Sequence, residues 1–146
     1  MIHDVSTDAA DPPQFVALLD TRRACPNGAH YSGLNARAHL ARYPHLATRR
    51  YNINASKVID TALAFALAAG WAIAGTDKAA GLIEATATTP IMRFKDDVVI
   101  RVRSLANGTR LDMRSASRVG TSDFGVNARR IGDFLRQLDG VMASGK

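Results

Sequence analysis

The chain has 146 residues, enough for one domain whose core needs no disulfide or metal staple. Its 47% hydrophobic and 22% charged composition is that of a globular protein, and a single cysteine, Cys25, excludes both an internal disulfide and a paired-cysteine zinc site. The net charge of +6 permits attraction to nucleic acid or anionic lipid but specifies neither, and genomic base composition explains the fifteen arginines among nineteen basic residues more economically than selection for guanidinium chemistry.

Residues 1–14 are polar and end in Pro12-Pro13, which predicts a mobile or extended arm, and Phe15–Leu19 adds a short helical turn; together they make an N-terminal arm over residues 1–23. The start MIHDVSTDAADPPQ has no basic stretch followed by an apolar one, so no secretory signal is expected. No run approaches the roughly 18–20 apolar residues of a membrane span, and the expected compartment, for a chain beginning at Met1, is the cytoplasm. Residues 24–47 mix Pro26, Asn27, Gly28, Gly33 and Pro44, which predicts an irregular segment with a short helix over Asn35–Arg42. Such a stretch is ordered only by packing on something else and is a candidate lid.

The regular α+β domain is expected over residues 48–140, with 141–146 as a flexible tail. Arg49–Ile53 reads as a strand, and Asn54 or Ser56 caps a helix whose Ile59, Leu63, Ala66 and Leu67 recur at helical spacing until Gly70. Trp71–Ala74 is a short strand, followed by Leu82–Thr89, where Ile83, Ala85 and Ala87 alternate with Glu84, Thr86 and Thr88. Pro90 interrupts, Ile91–Lys95 resumes extended structure, and Asp96-Asp97 is read as a turn. In Val98–Arg103, Val98, Ile100 and Val102 face one side while Val99, Arg101 and Arg103 face the other. Asn107-Gly108 signals a hairpin into Arg110–Arg118, and Val126–Leu138 carries the helical stripe Ile131, Phe134, Leu135, Leu138. The order β-α-β-β-β-β-α predicts a single antiparallel sheet of about four or five strands with both long helices on one face, in a helix-grip or TATA-binding-protein-like arrangement.

Three blocks, AAGWAIAGTDKAAGLIEATATT, FKDDVVIRV and RSASRVGTSDFGVNARRI, closely resemble the bacterial and plastid family called domain of unknown function 1499, over residues 44–138. The resemblance implies a compact α+β domain, often in envelope-associated proteins or behind membrane helices, and supplies no catalytic residue. Members commonly carry a CPxxPNCVSS-like segment. Here only Cys25-Pro26-Asn27 remains, Gly28-Ala29-His30 follows, and the second cysteine is missing.

Arg101 and Arg103 share a strand face and oppose Asp112 and Arg114 across the Asn-Gly hairpin, where facing side chains lie about 5 Å apart. A solvated, salt-bridged outer face is the simpler reading of this pattern. The functional reading is a pocket in which Arg101, Arg103, Arg114 and Arg118, helped by Arg93 and Lys95, grip a small anionic molecule. The loop Ser117–Gly125 precedes a helix N-terminus, but Ser122 or Asp123 is suited to cap that helix and occupy its free N–H groups, with Asn127 tying the loop to the sheet. His30, His39 and His45 lack any spacing that places two on one face, so no metal site is expected, and no cofactor motif is present. A catalytic base among His30, Tyr31, Asp96 and Asp97 requires the 24–47 segment to fold over a cavity; no GxSxG nucleophile signature accompanies it. Nucleic acid is disfavoured, because the outward strand positions Glu84, Thr86, Arg101, Arg103 and Arg114 offer no aromatic ring for base stacking.

Three functions follow as expectations. The leading one is a binding domain for a small anionic molecule. The second is a cofactor-independent isomerase, cyclase or dehydratase moving protons in a cavity between sheet and helices. The third is an interaction domain forming a homodimer through its open sheet face or an edge strand.

Overall fold

The computed structural model describes residues 2–33 and 36–144. Met1, Asn35, the side chain of His39 and the last two residues of the expected tail lie outside the described residues. In chain order the elements are β1 (Asp4–Ser6), α1 (Leu19–Arg23), α2 (Ala36–Arg42), β2 (Arg49–Tyr51), α3 (Ala55–Ala68), β3 (Ala72–Asp77), β4 (Leu82–Thr88), β5 (Lys95–Leu105), β6 (Gly108–Ser117) and α4 (Val126–Ser144).

The α+β class holds, with one antiparallel sheet, but that sheet has six strands rather than four or five. Its order is β1-β6-β5-β4-β3, and β2 also pairs with β6. The outer edge of β6 is shared: β1 pairs with residues 114–116 and β2 with residues 109–111. The unforeseen strand comes from the N-terminal arm, whose three residues are too few to show a strand period in the sequence. With it and the two short helices, the element order departs from the helix-grip pattern expected.

Alternation along β5 and β6 sorts the sheet into two faces. Ile83, Val98, Ile100, Val102, Leu111 and Met113 meet α3 and α4 through Val58, Ile59, Ala62, Ala66, Ile131, Phe134, Leu135 and Leu138. Burying each large aliphatic side chain here contributes about 1.5–3 kcal/mol, so this layer dominates stability. Asn54 caps α3 by accepting the Lys57 N–H at 2.9 Å, and Gly70, at φ 82°, ends it. The terminal helix continues past the expected end at Leu138 because Met142 also packs into the core, so residues 141–144 are helical rather than tail.

The opposite face is not open. Residues 7–31 run across it as a strap, burying Phe15 and Leu18 against Val99 and Ala116. Two devices fix the strap. The Glu84 carboxylate, only 3% exposed, accepts the backbone N–H groups of Val16, Ala17 and Leu18 at 2.9, 2.6 and 3.1 Å. Gly75, beside an irregularity in the β3–β4 register, leaves room for Ala17, whose Cβ would stand 2.8 Å from any Cβ added there. Residues 7–31, read as part of a mobile arm and lid, are therefore a bound layer whose order comes from contacts distant in sequence, while Leu46 of the same expected lid packs into the helix-side core.

Candidate functional site

The strap reorganises the charged strand face. Arg114 is fully buried: Nη2 and Nε donate to the Asp4 carboxylate at 2.7 and 3.0 Å, and Nη1 donates to the Pro13 carbonyl at 3.0 Å. Its guanidinium lies over Phe15, 4.6 Å from the ring centroid, and 5.4 Å from that of Tyr31. Arg101 sits between Asp8 and Asp112, both at 3.5 Å. Arg103, half-exposed, meets Asp11 at 3.3 Å. Arg118 donates to both oxygens of Asp97 at 2.9 and 3.0 Å, and that pairing holds its guanidinium above the ordinary arginine range. Asp97 also receives Arg22 at 3.3 Å. All four arginines expected to grip a ligand thus lie on one face and carry internal counter-charges, of which Asp4 comes from β1 and Asp8 and Asp11 arrive with the strap.

Asp112 illustrates the balance. Burial opposes its ionisation, yet hydrogen bonds from Thr48, Arg110 and Thr7 outweigh that and hold its carboxyl below the usual range.

The four proton-transfer candidates are not brought together. Asp96 and Asp97 are not a turn but consecutive residues of β5, 2% and 0% exposed, and they point to opposite faces. They remain in the strand because each finds cations: Arg130 for Asp96 at 2.9 Å, and Arg22 with Arg118 for Asp97. Tyr31 stands on the strap face beside Arg114; burial, then the Asp4 carboxylate, pushes its phenol up. His30 is exposed. Among the described residues, no three His, Cys, Asp or Glu side chains gather as metal ligands, and no helix is long and apolar enough to cross a membrane.

What the structure adds lies at the end of the sheet where β4 passes to β5 and β6 passes to α4. A polar network is buried there on the helix side. Asn127, fully buried, accepts from Ser115 Oγ at 2.6 Å and donates to Ser117 Oγ at 2.9 Å and to Asp123 Oδ2 at 2.8 Å. Asp123 accepts the N–H groups of Gly125 and Asn127 at 2.8 and 3.2 Å, so it does cap α4. Arg130 joins this network to Asp96, donating to Asn127 Oδ1 at 3.0 Å. Over the network opens a cleft of about 600 Å³ whose walls are apolar, from Ile91, Met92, Phe94, Val119 and Phe124, and whose floor includes Asp96, Ser117 and Asp123. A second cleft of about 790 Å³ adjoins it through Thr89, Pro90 and Val126, and is lined by Trp71, Arg93, Arg129, Arg130 and Phe134.

Of nine exposed large hydrophobic residues among those described, five belong to these two loops. The sequence carries a signal for this in Ile91, Met92 and Phe94, which strand period alone places in extended structure after Pro90. In fact residues 89–94 turn back on themselves, the Thr89 N–H reaching the Phe94 carbonyl at 2.8 Å, with Arg93 at φ 57°. That turn leaves the three apolar side chains in solvent.

A family model described as "Protein of unknown function (DUF1499)" matches residues 4–138, starting at the first strand and so taking in the strap that the sequence resemblance had left out. No curated protein matches the chain.

Proposed function

Since the chain belongs to the DUF1499 family, whose description names no activity, we propose from its site alone that it is a binding domain for a small anionic amphiphile. The observation that carries this reading is the apolar-walled cleft over a satisfied polar floor. Its volume of about 600 Å³ falls within the roughly 300–1,000 Å³ of small-molecule sites, and such sites pair apolar walls with few polar groups. The alkyl or aryl body of the ligand packs against Met92, Phe94 and Val119, and Ser117 Oγ stands at the floor.

The anionic head belongs on the side of the adjoining cleft, where Arg93 and Arg129 are exposed and have no carboxylate partner among the described residues. This moves the anion-binding role away from Arg101, Arg103, Arg114 and Arg118, whose charges are already neutralised. Dislodging an aspartate from buried Arg101 or Arg114 would cost more than an exposed ligand contact returns.

The test is a thermal-shift titration with decanoate and decyl phosphate, kept monomeric, beside a neutral alkyl glycoside. A ligand at a hundredfold excess over its Kd stabilises by about 2.7 kcal/mol. Both anions should raise the Tm more than the glycoside does, and Val119→Asp should abolish the effect. A wild-type protein indifferent to every alkyl compound overturns the reading.

A further inference from the structure

We propose that the loop tips at this end of the sheet dock the protein on an anionic lipid bilayer. The inference goes beyond the ligand reading and does not need it: Ile91, Met92 and Phe124 border the cleft but stay largely in solvent, where a bilayer would meet them whether or not the cleft is filled. Ile91 and Phe124 are 89% and 87% exposed, the highest values among the large hydrophobics described, and Met92 follows at 66%. Single exposed apolar residues need no explanation, but a cluster of them on adjacent loops does.

The backbone holds the cluster outward. Phe124 has φ 53° and Arg93 φ 57°, a left-handed conformation that costs a side chain free energy and is not relieved by a glycine at either place. Phe124 is fixed from behind: its carbonyl accepts Arg129 Nη1 at 3.3 Å, and Asp123 and Gly125 hold the turn on either side.

Charge selects the occupant. Arg93 and Arg129 line the adjoining cleft beside the tips and Lys95 opens β5 just after Phe94; all three are exposed and meet no carboxylate among the described residues. The acids of the same region are engaged: Asp96 by Arg130, Asp123 by Asn127 and backbone N–H groups, and Asp133 by Arg136. Apolar tips inside a cationic rim match the boundary between acyl chains and anionic headgroups. A second copy fits worse, because a two-fold contact would set the cationic rim against itself.

Cosedimentation of the full chain with phosphatidylcholine vesicles, with and without phosphatidylglycerol, tests the docking. Binding is expected only with phosphatidylglycerol, weakening as salt rises. Arg93→Gln with Arg129→Gln should reduce partitioning by about fivefold for each charge. Ile91→Ser with Phe124→Ser should reduce it by about tenfold or more without lowering the Tm. A Phe124→Trp variant adds a spectroscopic readout: its emission beyond that of Trp71, recorded on the wild type, should shift to the blue on the anionic vesicles. No sedimentation with anionic vesicles overturns the inference, as does full sedimentation of the Ile91/Phe124 variant. A concentration-dependent dimer dissolved by that variant, with no vesicle binding, assigns the patch to a second copy and overturns it equally. Vesicle failure beside a thermal shift with monomeric decanoate leaves the cleft reading standing.

Discussion

Between strap and sheet, Arg22, Arg101 and Arg114 are almost wholly buried and each guanidinium meets a carboxylate; at the end of the sheet, Arg93, Lys95 and Arg129 are exposed and meet none among the described residues. The same residue type thus serves two purposes in one small domain. Where a guanidinium is desolvated, an internal partner is required to offset the loss of water, and the pair becomes part of the fold. Where it stays in solvent, it costs little to leave unpaired and remains available. Richness in arginine is for that reason a poor guide to function until burial is known.

The comparison predicts its largest effect at Arg114. Truncating it in Arg114→Ala strands the Asp4 carboxylate, 8% exposed, and removes the cation from between Phe15 and Tyr31; a loss of about 3–5 kcal/mol is expected from denaturant unfolding. Replacing both partners, as Arg114→Met with Asp4→Leu, should cost less than the single change, because no buried charge is then abandoned. Arg93→Ala, on the open end, should leave unfolding within about 0.5 kcal/mol of wild type. Equal losses at the two sites would erase the distinction between them.

Glu84→Ala comes next. It strips the acceptor from three strap N–H groups, with an expected cost of about 1–3 kcal/mol. The signature is local: hydrogen exchange at Val16, Ala17 and Leu18 should accelerate more than exchange in β5. Uniform acceleration would mean that strap and sheet open only together.

Acid should separate the regions as well. The folded carboxyl of Asp112 lies below its ordinary value, so its ionised form contributes stability that is fully present above the unfolded pKa of about 3.9 and is lost as pH falls through the lower folded value. Stability measured against pH should decline on that acid limb, and Asp112→Asn should flatten it while lowering the neutral plateau. An unchanged limb would show that other carboxylates carry the acid sensitivity.

The elements that were legible in the sequence are those whose signals are local. Asn54 and Gly70 bracket α3, Asn107-Gly108 turns β5 into β6, and the alternation of Val98, Ile100 and Val102 picks out the helix-facing side. The strap was not legible, because Glu84, Asp4 and Arg114 lie 66 or more residues from the groups they hold. No period or cap announces such pairing. Asp96-Asp97 looked like a turn for the same reason: their partners Arg130, Arg22 and Arg118 are brought in by other elements. The cleft was partly within reach, since Ile91, Met92 and Phe94 sit after Pro90 with no strand partner to bury them.

The effect at Phe124 is the most discriminating because its sign is opposite. Phe124 is 87% exposed and holds φ 53°, so its side chain contributes almost no burial while its backbone stays in a region that disfavours side chains. On the strap face, removing an aromatic such as Phe15 loses packing. At Phe124, exchange for glycine should relieve strain, raising stability by about 1 kcal/mol, less whatever the freer unfolded chain takes back. The same Phe124→Gly variant should bind anionic vesicles more weakly than wild type. A gain in Tm together with a loss of binding would mean that this end of the molecule keeps a strained, exposed ring at the expense of its own stability. A variant that loses both would instead return Phe124 to the fold and leave the two regions alike.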